Sequence, residues 1–159
     1  MKLLVPFFLF IVFSLISCKE YPCSPAIGNI RITGFSINET DTVIVRKYSK
    51  SGNFTTLLGT YQLDSLRSYY LRKGNVLEIY STASYGNDFG LLSRYDYEIY
   101  LPKPNRLFQI SEITEDYQTR RSGISMDKSQ CINPFTSFKV NGVLQVNGND
   151  NSYLISISK

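Results

Sequence analysis

Short runs of β-branched and aromatic residues, each cut off by a turn-forming pair, follow one another along most of this chain. That rhythm favours a strand-built fold. Its clearest instance is Tyr95–Leu101, where Tyr95, Tyr97, Ile99 and Leu101 alternate with Asp96, Glu98 and Tyr100. A period of two is that of a strand, so one set is expected inward and the other toward water. Near the end of the chain, Phe138-Lys139-Val140 and Val143-Leu144-Gln145-Val146 flank Asn141-Gly142. A two-residue type I′ turn needs positive φ at both central positions, which Asn and Gly accept, so a hairpin is predicted there. Further strands are expected over residues 27–36, 42–48, 59–63, 76–82, 107–113 and 153–157. Gly52-Asn53, Gly74-Asn75, Gly86-Asn87, Pro104-Asn105 and Asn133-Pro134 punctuate them. Helical periodicity is thin; residues 63–71 have room for one or two turns. The expectation is a single all-β domain: a β-sandwich, immunoglobulin-like or transthyretin-like, with a small up-and-down barrel as the alternative.

The first residues have a different logic. Met1-Lys2 gives a basic start, residues 3–13 are apolar, and residues 14–17 lead to Cys18. This is the order of a secretory signal, and its apolar core is shorter than the roughly 20 residues that span a bilayer. Leu15-Ile16-Ser17-Cys18 resembles the lipobox of the bacterial lipoprotein leader, with Leu15 three before the cysteine and the small Ser17 just before it. In that family the thiol is joined to diacylglycerol, and a signal peptidase then cuts in front of it. The resemblance implies that residues 1–17 are removed, that Cys18 carries fatty-acyl chains such as palmitate, and that residues 18–25 tether a domain of residues 26–159. Lys19 after the cysteine favours the outer membrane, on the periplasmic face or the cell surface.

If one cysteine of three carries lipid, Cys23 and Cys131 remain in a compartment where disulfides form. Their pairing would close a loop of about 100 residues and stabilise by up to roughly 4–5 kcal/mol in the chain-entropy account; two separate thiols are the alternative. The whole layout is similar to small uncharacterised lipoproteins of the Bacteroidota. They share a lipobox, a cysteine soon after it, a strand-rich body and a late cysteine in a Cys-x-Asn-Pro setting, here Cys131-Ile132-Asn133-Pro134. That resemblance implies a sandwich and an envelope location, and no activity.

Composition narrows the function. There are 17 basic and 13 acidic residues and no histidine. Lys2 falls in the leader, which leaves a formal charge of +3, and the basic residues are scattered, with Arg120-Arg121 the only adjacent arginines. A nucleic-acid partner would need a basic stripe. Without histidine or a second cysteine pair, a zinc site of the usual kind is not expected, and no cofactor is implied.

The chemical motifs are incomplete. Ser125-Met126-Asp127-Lys128 matches the serine–lysine pair of penicillin-recognising enzymes but lies in a polar stretch, and their K-T-G triplet is missing. Glu112, Glu115 and Asp116, with Asp96 and Glu98, supply carboxylates for a hydrolase, which needs two of them at set distances across a bond. Residues 147–152 offer oxygen ligands but a single carboxylate, short of a calcium loop. The chain has 12 tyrosines and no tryptophan. Tyr69, Tyr70, Tyr85 and Tyr117 are expected in or near loops, where rings stack on sugars or proteins. Asp41-Thr42-Val43 and Asp64-Ser65-Leu66 resemble the O-glycosylation acceptor of Bacteroidota envelope proteins, which marks Thr42 and Ser65. The expected role is a membrane-anchored envelope lipoprotein acting as a non-catalytic binding or structural module. A carbohydrate-binding accessory protein is the alternative, and a small carboxylate-dependent hydrolase the third.

Overall fold

The computed structural model describes residues 20–51, 53–64, 70–80, 89–121, 132–148 and 153–159. Twelve strands lie among them: β1 (Glu20–Pro22), β2 (Asn29–Thr33), β3 (Thr42–Ser49), β4 (Leu57–Asp64), β5 (Tyr70–Lys73), β6 (Val76–Ile79), β7 (Tyr95–Leu101), β8 (Arg106–Glu115), β9 (Thr119–Arg121), β10 (Phe135–Val140), β11 (Val143–Val146) and β12 (Leu154–Ser158). The one helical element among the described residues is a 3-10 turn at Asn38–Thr40.

Two sheets face each other. The larger has the order β11-β10-β8-β7-β3-β4, the smaller β12-β2-β6-β5, and β1 pairs with β9 in a separate ribbon. Neither sheet closes on itself, so the fold is a β-sandwich and the barrel alternative is overturned. Neighbouring strands of the larger sheet run antiparallel. In the smaller, β12 lies parallel to β2, which sets the last strand beside the second.

The core is the product of alternation on both sheets. Val43, Val45, Ile99, Leu101 and Ile110 point inward from the larger sheet, and Ile30, Ile32, Leu77, Ile79, Ile155 and Ile157 from the smaller. Phe35, Phe89, Phe135 and Phe138 fill the space between. At roughly 1.5–3 kcal/mol for each large side chain withdrawn from water, this layer dominates the stability. Packing is close enough that a Cβ on Gly28 would sit 2.4 Å from Phe135 Cε2.

Asn141 (φ 50) and Gly142 (φ 80) both take left-handed backbone, the geometry a type I′ turn requires, and they join β10 to β11 as expected. Of residues 63–71, Leu63 and Asp64 end β4 and Tyr70 and Leu71 open β5, all extended, and residues 65–69 lie outside the described residues. β5 returns through Gly74-Asn75 onto β6. The weak alternation of residues 107–113 has a local cause. Glu112 sits at φ 52 and the β8–β10 register shifts around it, so Phe108, Ile110 and Ile113 all reach the core although the last step is three residues.

The stretch expected as a tether is also corrected. Glu20–Pro22 pairs with Thr119–Arg121, Cys23 is buried, and Cys23 N–H donates to Gln118 O at 2.9 Å. Among the described residues, strand pairing therefore extends back from residue 26 to Glu20.

Candidate functional site

The outer face of the larger sheet carries a polar row that the alternation of Tyr95–Leu101 placed in water. Glu98 and Asp96 are instead buried, so β7 is covered on both faces. Register explains the row. Arg46 of β3 and Gln109 of β8 flank Glu98 on either side. Glu98 accepts from Tyr48 Oη at 2.7 Å, Gln109 Nε2 at 3.3 Å and Arg46 Nη1 at 3.4 Å. Burial is the largest cause raising the Tyr48 phenol above its usual range, and the bond to Glu98 adds to it. The β3–β4 connection bends over this row. Ser51, Asn53 and Phe54 all have positive φ, Ser51 N–H donates to Asp96 Oδ2 at 3.0 Å, and the Phe54 ring meets Tyr48 edge-on at 5.5 Å. The network ties three strands together; its hydrogen bonds are internal.

A second cluster lies toward the inner side of the same strands. The Lys47 ammonium stands 5.0 Å from the Tyr95 ring centre and 5.6 Å from that of Tyr61, and Arg94 covers Tyr95 at 5.1 Å. These cations occupy the ring faces that a sugar would stack on. Deeper in, burial raises the Tyr97 phenol far above its usual range. Tyr97 Oη accepts from Leu92 N–H at 2.8 Å and donates to Gly90 O at 3.1 Å.

The third feature is an edge. β11 ends the larger sheet beyond β10. Its four residues carry no charge, and Val143, Leu144 and Val146 are 66%, 59% and 75% exposed. The edges of the smaller sheet differ: β5 carries Arg72 and Lys73, and Lys159 follows β12. Charges and especially lysine are the common means of keeping a sheet edge from pairing with another chain.

The sequence-selected carboxylates divide among separate tasks. Glu112 pairs with Lys139 at 2.6 Å on the surface, Glu115 Oε2 accepts from Asn133 Nδ2 at 3.5 Å, and Asp116 Oδ2 accepts from Gln118 Nε2 at 3.4 Å. Asp96 and Glu98 belong to the row under the β3–β4 connection. Thr42 opens β3, half-buried and opposite Asp64. Tyr70 is no loop residue: it lies in β5 and its Oη donates to Leu63 O at 3.2 Å. Tyr117 is 81% exposed, as a loop residue would be. Cys18, Ser65, Tyr69, Tyr85, the Ser125–Lys128 motif, Cys131 and most of the 147–152 turn lie outside the described residues.

The Cys-x-Asn-Pro segment has a visible task. Asn133 N–H donates to Ser24 O at 2.8 Å, Asn133 Oδ1 accepts from Gln118 N–H at 3.0 Å, and Ser24 bridges Ile132 in parallel. The segment thus clamps the start of the chain to the end of β8. Among the described residues no group of three or more histidine, cysteine or acidic side chains stands close enough to hold a metal, and no helix is long and apolar enough to cross a membrane. No protein-family model, curated protein or solved structure matches the chain.

The sequence leads to an exposed sheet edge or loop end as the contact surface, but not to β11 in particular. The hairpin is legible from Asn141-Gly142, but nothing local says that β11 is last in its sheet. The polar row was missed because Ser51 and Phe54, which reach over it, flank a Gly-Asn pair that reads as a simple turn.

Proposed function

We propose that this chain is an envelope lipoprotein, anchored through acylated Cys18, whose sandwich is a non-catalytic module that binds an extended segment of another envelope protein. The observation that carries the binding role is the uncharged, exposed edge of β11. A strand added there would satisfy the outward backbone groups of β11, while alternate side chains would meet Val143, Leu144 and Val146. The anchor rests on the sequence order of the leader and on Leu15-Ile16-Ser17-Cys18.

Cys23 is proposed as one half of a disulfide with Cys131. The support is local: the neighbours Ser24 and Ile132 bridge each other, and Cys23 is buried at that junction. The bond would close the same junction that Asn133 clamps.

Affinity capture from detergent-solubilised envelope tests the binding role. The wild-type chain is expected to retain a discrete partner that Val146→Lys loses, with the folded state of both checked by circular dichroism. A folded, acylated chain that retains nothing, or a Lys variant that retains everything, removes this reading. The glycan alternative rests on the exposed Tyr117 ring. Saturable binding on a glycan array, lost in Tyr117→Ser, would favour it instead.

A further inference from the structure

We infer that the β1–β9 ribbon lies against the membrane surface and contacts anionic phospholipid headgroups, so that the anchored domain is held in one orientation. This rests on the reading of Cys18 as the acylated residue. Its first support is chain length. One residue, Lys19, separates Cys18 from Glu20, the first residue of β1. At no more than about 3.6 Å per residue, the backbone of Glu20 stands within roughly 7 Å of the acylated residue. Such a link is too short to lift the ribbon out of the headgroup layer. The ribbon is also not free to unroll cheaply: Glu20, Tyr21 and Pro22 are in register with Arg121, Arg120 and Thr119, and the clamp of Ser24, Gln118 and Asn133 follows at once.

The second support is the chemistry along the ribbon. Tyr21 on β1 is 45% exposed, and Tyr117, just past the other end of the ribbon where Gln118 meets Cys23, is 81% exposed. Tyrosine joins an apolar ring to a polar tip and favours the boundary between acyl chains and water. The third is charge. The stretch from Lys19 to Cys23 and the facing stretch from Asp116 to Arg121, which includes Tyr117, carry Lys19, Arg120 and Arg121 against Glu20 and Asp116. The excess is positive where the anchor forces proximity to phosphate, and surface attraction of this kind acts within a Debye length, about 10 Å at moderate salt.

The chain has no tryptophan, so one introduced indole reports its own depth. The full acylated chain carrying Tyr117→Trp is reconstituted in vesicles of phosphatidylethanolamine and phosphatidylglycerol doped with brominated lipid. Its fluorescence is expected to be blue-shifted and quenched. Leu144→Trp, on the β11 edge, is expected to remain unquenched. In vesicles of phosphatidylcholine, or in Arg120→Glu/Arg121→Glu, the quenching of the indole at position 117 is expected to fall. Equal quenching at positions 117 and 144, or none at 117, overturns the orientation. Quenching that is identical in the neutral vesicles overturns the anionic preference. Intact mass of the same sample separates the two readings. Without diacylglycerol on Cys18 the anchor itself fails; with the lipid present and the indole at 117 unquenched, the ribbon contact alone fails.

Discussion

Asn133 shows how one buried amide can decide the placement of a chain end. Its backbone N–H reaches Ser24 O, its Oδ1 receives Gln118 N–H, and its Nδ2 reaches the Glu115 carboxylate. Asn133→Ala would leave the Gln118 donor without its side-chain acceptor and would free one Glu115 oxygen in a half-buried place. An orphaned buried polar group costs about 1–3 kcal/mol, so a loss of roughly 2 kcal/mol is expected in urea unfolding. Asn133→Asp keeps the acceptor for Gln118 but sets a second carboxylate against Glu115, and is expected to be at least as damaging at neutral pH as at pH 4. An unchanged urea midpoint for both variants would show that the clamp is incidental. The Asn-Pro pair was legible in the sequence as a turn. Its reach to Ser24 was not, because it spans more than a hundred residues of chain and leaves no local pattern.

Two glycines separate conformational from steric demands on the elements. Gly142 stands at φ 80 in the β10–β11 turn, and a Cβ added there would meet nothing within 4 Å. Its demand is backbone conformation alone, and Asn tolerates that region. Gly142→Asn is therefore expected to cost little, well under about 1 kcal/mol, and Gly142→Val clearly more. Gly28 carries no positive φ, yet a Cβ would collide with Phe135. Gly28→Ala is expected to cost about 1–3 kcal/mol, the usual range for overpacking a tight core. Relief of that cost by Phe135→Leu in the double variant would locate the strain; simple additivity would contradict it. These positions also show what a sequence can tell about elements. Asn141-Gly142 was readable because a type I′ turn is a local demand of two residues. β7 was readable as a strand, but not its burial on both faces, since that depends on Phe54 and Ser51 arriving from another connection. β1, β5 and β9 span three or four residues each, too few to display a period. The bulge at Glu112 broke the alternation that would have traced β8 to its end.

At the scale of the whole molecule, several carboxylates bind parts of the sandwich together and make its stability depend on acid. Glu39, in the 3-10 turn, accepts from Lys159 Nζ at 2.8 Å and from Ser36 N–H at 2.7 Å, so the last residue is tied to the segment after β2. The Lys159 bond, then the backbone bond from Ser36, hold its carboxyl down at about 2. The Lys103 bond at 2.5 Å lowers Asp41, and Tyr80 followed by Arg31 lowers Glu78. A carboxyl with a depressed value in the fold takes up protons more readily when unfolded. Its stabilisation is therefore complete above its ordinary value and disappears as pH falls through the folded one. For Glu39 that window runs from 4.5 down to about 2. The urea midpoint is expected to hold steady from pH 7 to 5 and then fall steadily toward pH 2. Lys159→Met should lower the midpoint slightly at neutral pH and flatten the fall, because Glu39 returns toward its ordinary value and no longer discriminates folded from unfolded. Both ends of this pair are on the surface, so salt should weaken the difference between the two proteins. Carboxyl shifts followed by nuclear magnetic resonance give the direct check: a wild-type Glu39 that titrates near 4.5 would remove the tie between the end of the chain and the turn, and with it the predicted difference in slope.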